Sequence, residues 1–259
     1  MYRIFQKILI RLVKLFLVEH ENLKLYGTQY GGMIIQENED LEKSHVLSAG
    51  SGEDLTFDIE LINKFNCRVY LIDPTPRAIN YYKLIKNNFG SEKKKEYSGS
   101  GYENPSVYDL TSVNETNLKL IEKALFIKDN LELNFYEPPN SEHVSYSLTN
   151  WQGNYSKKSE SIIVESITVK SIMEKEKIQN ISLLKLDIEG AEVEVLHNIL
   201  KNKIYPLQLA VEFSNLWNNQ FKTTFKFISI FIKLLVNGYQ VVDIRRYPNI
   251  LFIRKKNYQ

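Results

Sequence analysis

Cysteine is the scarcest residue type in this chain of 259 residues, which contains only Cys67. A disulfide framework within the chain is therefore excluded. An excess of charge of one sign is also lacking, since 33 basic residues stand against 31 acidic ones and the net charge is +2. Binding of nucleic acid through a domain-wide basic field is thus not indicated.

Long hydrophobic runs are missing as well. No segment reaches the roughly 20 apolar residues that a membrane-spanning helix needs. The nearest one, residues 225–236, is interrupted by Lys226 and Lys233. We therefore expect a cytoplasmic protein with no integral membrane span. With 43% hydrophobic residues, a chain of this length can bury a sizeable core without disulfides or metals.

The first 18 residues are apolar but carry a cation at every third or fourth position, namely Arg3, Lys7, Arg11 and Lys14. These charges exclude the unbroken apolar stretch of a signal peptide. The spacing places the cations on one face of a helix. We expect this helix to pack on the main domain; the alternative is a peripheral helix on the surface of the inner membrane. Residues 1–40 are assigned to an N-terminal helical extension.

Residues 41–259 are predicted to be one domain with two long polar loop insertions, near 91–117 and 138–160. Loops of this length are usually functional or disordered, so both are candidates for contact with a substrate. Strand patterns alternate with helix patterns in the rest of the domain. The predicted strands are 45–50, 68–73, 118–126, 131–136, 161–169, 181–188 and 207–213, and the predicted helices are 53–65, 77–87, 171–177, 191–202 and 221–236.

This alternation, with nearly continuous apolar strands, is typical of an α/β fold with a doubly wound, mostly parallel sheet that is covered on both faces. The last two segments, 239–245 and 249–254, flank a Tyr-Pro turn and are predicted as an antiparallel hairpin at one edge. Ligands of such sheets bind at the carboxyl ends of the strands, near the point where the strand order reverses.

Two glycines follow the first of these strands, within residues 50–54 (GSGED). They let the backbone turn tightly and approach a ligand, and the next helix directs its N-terminal amides at the turn. A dinucleotide site would have a third glycine where Leu55 stands, and Glu53 and Asp54 would repel a pyrophosphate. The two acids are compatible with a ligand that carries a sulfonium and an ammonium group. An ordinary turn is the alternative.

Asp73 ends the second strand, about 20 residues beyond the glycines. A carboxylate at this position can accept hydrogen bonds from the hydroxyls of a ribose. The alternative is that Asp73 caps the helix that begins at Pro76.

Lys185 and Asp187 interrupt the apolar strand 181–188. They are two residues apart, so their side chains project from one face. Burial of two charges is costly unless they pair or serve a site. We predict that Asp187 belongs to an active site, with a structural Lys–Asp pair as the alternative reading; for Lys185 the two readings are even.

More polar residues follow at the same rim. Glu189 either contacts substrate or opens the next helix, whereas Glu192 is expected to be a solvated helix residue. Glu212 ends the neighbouring strand, and Asn215 is a candidate substrate contact just beyond it. Carboxylates of this region are possible ligands for a divalent ion, but no histidine is placed beside them, so we expect no metal.

Residues 184–192 (LKLDIEGAE) are similar to the signature of the FkbM-type methyltransferase family. Residues 48–54 and 72–76 resemble the cofactor turns of one branch of that family, and residues 143–148 resemble its serine-containing loop ahead of the catalytic strand. The resemblance extends from about residue 46 to residue 252.

The resemblance implies a class I methyltransferase fold, which is Rossmann-like, S-adenosylmethionine as the methyl donor, and O-methylation of a hydroxyl. By position, Gly50 and Gly52 would border the methionine part of the donor, Asp73 would hold its ribose, and Asp187 would face the methyl group. The cofactor-binding set is Gly50, Ser51, Gly52, Glu53, Asp73 and Thr75.

One departure from the family bears on the proton acceptor. Relatives often carry a histidine after the Glu-Phe pair of the next strand, where this chain has Ser214. The expected proton acceptor is therefore Asp187, Glu212 or His143, with Lys185 steadying the local charge. The predicted substrate contacts are Glu189, Ser147, Trp151 and Asn215, and a packing role is the alternative for Trp151.

Members of this family often modify sugars or small metabolites, and in bacteria they commonly accompany genes for surface polysaccharides. The resemblance therefore implies a sugar hydroxyl as the acceptor, best a nucleotide-activated hexose or heptose of a capsule or O-antigen pathway. A homodimer is a further expectation. The alternatives are another small metabolite as the acceptor, a nicotinamide-dependent oxidoreductase, or a non-catalytic binding module on the same fold.

Overall fold

A computed structural model describes residues 9–136, 161–216 and 221–255. Its elements are numbered in chain order. The strands are β1 (Leu23–Tyr26), β2 (Met33–Gln36), β3 (His45–Ala49), β4 (Arg68–Ile72), β5 (Leu118–Ile121), β6 (Ala124–Leu125), β7 (Glu132–Tyr136), β8 (Ser161–Ile167), β9 (Leu183–Leu186), β10 (Gln208–Glu212), β11 (Tyr239–Asp243) and β12 (Asn249–Arg254). The helices are α1 (9–14), α2 (Thr56–Phe65), α3 (Pro76–Lys86), α4 (Val169–Glu176), α5 (Glu192–Lys201) and α6 (Phe221–Val236).

Seven strands form the central sheet, in the order β11-β12-β10-β9-β3-β4-β5. The five strands from β10 to β5 are parallel, whereas β12 runs antiparallel to both of its neighbours. The mostly parallel α/β sheet is as predicted. The C-terminal hairpin differs in one respect: β11 is the edge strand, but β12 lies inside the sheet, between β10 and β11.

Two separate apolar cores cover the two faces of this sheet. Alternate residues of each strand contribute to them: Val46 joins the core under α2 and α3, whereas Leu47 joins the core under α5 and α6. Helices on both faces explain why the parallel strands are apolar along nearly their whole length.

The parallel register brings several chain segments to one edge of the sheet. Ala49 pairs with Ile72 on one side and with Leu186 on the other, and Leu186 also pairs with Val211. The residues that follow these four positions therefore meet at the carboxyl ends of β3, β4, β9 and β10. The strand order reverses between β3 and β9, which is where ligands of such sheets bind.

The prediction of a helical extension over residues 1–40 is wrong for part of that range. Among the described residues of this range, α-helix is confined to 9–14, and β1 and β2 form an antiparallel hairpin. The two short strands alternate in burial, and Gly27, Gly31 and Gly32 lie in the connection. Such a pattern is typical of a hairpin. Each strand has only four residues, so its pattern is too short to predict the hairpin from the sequence alone.

The first helix packs on the domain through Leu9 and Val13, which are buried in the core under α5 and α6. Leu12 of this helix and the following Leu15 and Phe16 are exposed, so contact with a membrane surface stays a prediction. Among the described residues, no helix is both long and apolar enough to cross a bilayer.

Two further segments differ from the predictions. The predicted strand 118–126 is split: β5 joins the central sheet, while β6 pairs with β8 in a separate three-stranded sheet that also contains β7. The insertion at 91–117, predicted as a polar loop, is partly buried, since Val107, Tyr108 and Leu110 belong to the core under α2 and α3. The insertion near 138–160 lies outside the described residues.

Candidate active site

A cavity of about 250 Å³ opens at the carboxyl ends of β3, β4, β9 and β10. Most of the predicted site residues border it. They are Gly50, Ser51, Gly52, Glu53, Asp73, Thr75, Lys185, Asp187, Glu189 and Glu212. Six of the lining residues are acidic (these include Asp54), and Lys185 is the single lysine or arginine among the described lining residues. The cavity therefore favours cationic ligands and hydrogen-bond donors.

Gly50 is required at its position by both backbone conformation and space. Its φ is +81°, and a Cβ on this residue would lie 1.7 Å from the carbonyl oxygen of Asp187. The end of β9 approaches this closely because the Asp187 amide donates a hydrogen bond to Ala49 O, at 3.1 Å. Gly52, at φ +54°, has open space where its Cβ would lie. A ligand can therefore approach the backbone of this turn closely.

Asp73 connects the glycine turn to the start of α3. Its Oδ2 accepts hydrogen bonds from the amides of Ser51 and Gly52, at 3.1 and 3.0 Å. Its Oδ1 accepts from the amide and the hydroxyl of Thr75, at 2.9 and 2.7 Å. Thr75 in turn is the N-cap of α3 and accepts from the Ala78 amide. The helix is thus capped by Thr75, and Asp73 holds the two turns together.

Glu53 and Asp54 follow the glycine turn and have different partners. Glu53 forms an ion pair with Arg77, with 2.5 Å between Oε2 and Nη2. Asp54 is buried; its Oδ1 accepts from the amide and the hydroxyl of Thr56, and its Oδ2 accepts from the hydroxyl of Thr28. Asp54 therefore anchors the start of α2 and the β1–β2 hairpin, a role that the sequence analysis did not assign.

Lys185 is almost fully buried, with 2% of its side chain exposed. Its ammonium donates a hydrogen bond to Gly50 O at 3.2 Å and lies 5.6 Å from the centre of the Phe57 ring. Burial raises the pKa of its acidic neighbours Asp58, on α2, and Asp187, after β9, and the charge of Lys185 opposes both shifts. Asp58 was not predicted as a neighbour of the site. Lys185 thus combines a structural role at Gly50 with a place in the cavity lining.

Asp187 is partly buried and lines the cavity. Burial raises its pKa; the Lys185 ammonium opposes this shift, and the nearby Asp73 carboxylate adds to it. A carboxylate with a raised pKa is a stronger base than one in water, as a proton acceptor requires.

Glu189 and Gly190 form the turn between β9 and α5, with φ values of +50° and +112°. Glu192 holds this turn: its Oε1 accepts from the Gly190 amide at 2.9 Å and from the Ser214 hydroxyl at 3.2 Å. The expectation that Glu192 is solvated is wrong, since it is fully buried and its pKa is raised to about 8, mainly by burial. Glu192 lies three and seven residues before the buried Val195 and Ile199 of α5. This spacing places it on the apolar face of that helix.

The β1–β2 hairpin contributes a wall of the cavity that was not predicted. Tyr30 and Gly31, in the connection between the two strands, line the cavity together with Gly101 of the 91–117 segment. The small sheet adds apolar lining through Ala124, Leu125 and Phe135.

Four predicted residues are not placed in the cavity. His143, Ser147 and Trp151 lie outside the described residues. Asn215 belongs to the 3-10 turn Ser214–Leu216, and its contact with a substrate stays a prediction. The described part of the chain contains no group of three His, Cys, Asp or Glu residues that could hold a metal ion.

The sheet order and the acidic cleft at its switch point define an α/β protein with a candidate small-ligand site beside a glycine turn. A family model, the methyltransferase FkbM domain, matches residues 49–241, about three quarters of the chain. The chain belongs to this family, as its resemblance indicates, and is a methyltransferase. Neither a curated protein nor a solved structure matched it.

Proposed function

We propose that the protein is an S-adenosylmethionine-dependent O-methyltransferase that acts on a sugar hydroxyl. The observation that supports this most directly is the acidic lining around the glycine turn. In this turn Gly50 permits close contact with the backbone of Asp187, and Gly52 leaves open space for a ligand. A donor with a sulfonium and an ammonium group is attracted by such a lining, whereas a dinucleotide pyrophosphate is repelled. The buried Leu55 also stands where a nicotinamide enzyme would have its third glycine.

The residues present fit this donor. Gly50, Ser51 and Gly52 would border its methionine part, and Asp73 would accept hydrogen bonds from its ribose, with Glu53 and Thr75 beside them. When bound, S-adenosylmethionine supplies a methyl group that a hydroxyl oxygen takes while the carbon–sulfur electron pair stays on sulfur. The chain has to orient the acceptor oxygen and remove its proton, and positioning alone can supply roughly 7–11 kcal/mol.

Asp187 is the proposed proton acceptor. It lines the cavity between Lys185 and Glu189 in the sequence, and its raised pKa suits it to take the hydroxyl proton as the oxygen attacks. Glu212 and His143 are the alternatives for this role. Lys185 would hold Gly50 O and limit the repulsion between Asp187 and its acidic neighbours, and Glu189 would orient the acceptor.

The proposed acceptor is a nucleotide-activated hexose or heptose for a capsule or O-antigen. The proposed location of the reaction is the cytoplasm or the inner membrane. The carboxylates of the cavity support binding of the sugar hydroxyls, because a carboxylate accepts hydrogen bonds from them. They do not favour phosphates. The nucleotide part would therefore lie outside the acidic cavity.

Donor binding is tested with Asp73→Ala. We expect the affinity for S-adenosylhomocysteine to fall by about 1.5–3 kcal/mol, because hydrogen bonds to a charged group are lost. Titration calorimetry measures this, with NAD and NADP as competing ligands. Asp109→Ala is the matched control, since Asp109 makes the same bonds to the amide and hydroxyl of Thr111 outside the cavity. Equal affinity in Asp73→Ala and the control would remove the ribose role from Asp73.

Proton transfer is tested with Asp187→Asn. This substitution preserves shape and removes the charge, so kcat should fall at least about a hundredfold while donor affinity stays within a few-fold. The assay follows transfer of a labelled methyl group to free sugars and nucleotide sugars. Asp243→Asn, at the carboxyl end of β11 but away from this cavity, is the control. Retained activity in Asp187→Asn with loss in Glu212→Gln or His143→Ala would move the base to that residue. A complete lack of transfer to any sugar would reject the sugar assignment.

A further inference from the structure

The turn that connects β1 and β2 precedes the family-matched residues 49–241 but forms part of the cavity wall. It carries Tyr30, which is half exposed, with 50% of its surface accessible. A tyrosine at a cavity wall offers a ring face for stacking and a hydroxyl for hydrogen bonding. Either role requires that the turn hold Tyr30 in place.

The turn is fastened to the start of α2 by several hydrogen bonds. The Thr28 amide donates to the Thr56 hydroxyl at 3.0 Å, and the Thr28 hydroxyl donates to Asp54 Oδ2 at 2.6 Å. The same Thr28 oxygen accepts from the amides of Tyr30 and Gly31, at 3.2 and 3.1 Å. The Thr28 hydroxyl thus connects the buried Asp54 to the backbone of Tyr30 by hydrogen bonds.

The opposite end of the turn is held from the C-terminal part of the sheet. The Arg246 guanidinium donates to Gly32 O at 2.6 Å and also to Gln29 O. The amide of Gly27 donates to Glu60 Oε2 at 2.7 Å. Hydrogen bonds therefore hold the turn on both sides of Tyr30. The turn is an ordered part of the cavity wall before a ligand binds, so binding does not have to order it.

The ring of Tyr30 packs against Gly101. A Cβ on Gly101 would lie 2.7 Å from Cε1 and 2.8 Å from Cζ of that ring, so glycine alone permits the contact. Gly101 lies in a loop held by the buried Glu103, whose carboxylate accepts from the amides of Ser98 and Gly99. The ring is therefore fixed between two anchored segments.

The hydroxyl of Tyr30 lies within electrostatic reach of the acceptor side of the cavity. Burial raises its pKa, and the carboxylates of Asp187, Glu189 and Glu212 raise it further. The phenol therefore keeps its proton and can donate a hydrogen bond to an acceptor oxygen.

We propose that Tyr30 is an acceptor-binding residue that stacks on an uncharged, hydroxyl-rich sugar ring beside Glu189 and Glu212. The face of an aromatic ring is electron-rich and attracts the C–H groups of a sugar ring. The neighbouring carboxylates accept hydrogen bonds from its hydroxyls, and they repel phosphate or carboxylate groups. The inference rests on the proposed function and narrows it, because the part of the acceptor that is methylated must be uncharged.

The experiment compares two matched pairs of variants in the full chain. Tyr30→Ala removes the ring, and Tyr102→Ala is its control, since Tyr102 is 46% exposed on the same side but packs on Tyr81 and does not line the cavity. Gly101→Ala displaces the Tyr30 ring. Its control is Gly99→Ala, at a similar positive φ (+69° against +87°) but with open space around the added Cβ.

The probe is the sugar that takes the labelled methyl group in the acceptor panel. Tyr30→Ala and Gly101→Ala should each raise its KM by at least about tenfold, and Tyr30→Phe should raise it less, because the stacking face remains. The affinity for S-adenosylhomocysteine should stay within about threefold in every variant. Both control variants should keep the KM of the parent.

Other results overturn the inference in distinguishable ways. An unchanged KM in Tyr30→Ala, with transfer intact, rejects the role of Tyr30 and leaves the proposed function standing. A loss of S-adenosylhomocysteine affinity with no change of the sugar KM places Tyr30 on the donor side instead. A panel in which no sugar is methylated rejects the proposed function and, with it, the acceptor role of Tyr30.

Discussion

Two fully buried carboxyl groups lie behind the residues that line the cavity, and they differ in the charges around them. Asp58 is in the first turn of α2, and Glu192 is the first residue of α5. Burial raises the pKa of both, to about 6 for Asp58 and to about 8 for Glu192. The Lys185 ammonium opposes the shift of Asp58, whereas the carboxylates of Glu189 and Asp187 add to that of Glu192.

At neutral pH Asp58 is therefore mostly ionised and Glu192 mostly protonated. Equal burial gives two protonation states because the neighbouring charges differ in sign. The consequence is a division of roles. Asp58 balances the charge of Lys185, which holds Gly50 O, and Glu192 acts as a neutral hydrogen-bonding group that connects Gly190 to Ser214.

The largest loss of stability is expected for Asp58→Asn. It leaves the buried Lys185 with one nearby carboxylate fewer, so the free energy of unfolding at pH 7.5 should fall by up to about 3 kcal/mol, the lower end of the range for a buried charge that loses its partner. Asp187 remains within reach of Lys185 and limits the loss. Urea denaturation measures it.

The double variant Asp58→Asn/Lys185→Met sharpens this test. Removing both charges should recover most of the stability lost in the single variant, since two buried opposite charges can often be replaced by uncharged groups at little cost. A single variant as stable as the parent would mean that Asp187 alone compensates Lys185, and the contrast with Glu192 would disappear.

Glu192→Gln is expected to raise stability relative to the parent by an amount that depends on pH. Because the folded pKa of Glu192 is raised, its contribution to stability is fully present below the unfolded value of about 4.5 and is lost as pH rises through about 8. The variant lacks this dependence, so it should be closest to the parent near pH 5 and more stable than the parent at pH 8.5.

Urea midpoints of the parent and of Glu192→Gln at pH 5, 7 and 8.5 measure the difference. Glu194→Gln is the control, because Glu194 lies on the same helix in a surface ion pair with Lys226. Parallel pH profiles of the parent and Glu192→Gln would show that Glu192 is ionised in the fold, as Asp58 is.

The smallest effect is expected for Ser214→Ala. It removes one hydrogen bond to Glu192 Oε1, and with a protonated Glu192 this bond joins two neutral groups. The loss should be about 1 kcal/mol at pH 6, typical of a neutral hydrogen bond. A loss above about 2 kcal/mol would indicate a bond to a carboxylate, and with it an ionised Glu192.

Much of this arrangement was predictable from local patterns. The strands, the glycine turn, Asp73 and Asp187 each follow from residues within one short segment, and the parallel sheet brings their ends together. The burial of Glu192 could also be predicted, because this residue lies on the apolar face of α5. The same holds for Asp58, which lies three, four and seven residues before the buried Leu61, Ile62 and Phe65.

The part of the cavity wall that Tyr30 forms could not be predicted in the same way. The alternation and the glycines around it indicate a hairpin, but nothing local places that hairpin against Gly101, some 70 residues later in the chain. The contact depends on Asp54 and Arg246, which reach the turn from two other parts of the fold. Such long-range placement is a property of the packed domain. The patterns in the sequence report only what is near in the chain.

The position of β12 has a consequence for where this protein can be cut. β12 lies beyond the family-matched residues, yet it pairs with β10 on one side and β11 on the other. A chain that ends at residue 241 would lose this interior strand and leave the backbone groups on that side of β10 unpaired. Unpaired strand edges of this kind invite pairing between molecules and aggregation. The central sheet therefore extends past the family-matched residues at their C-terminal end, and truncation after residue 241 is expected to yield insoluble protein.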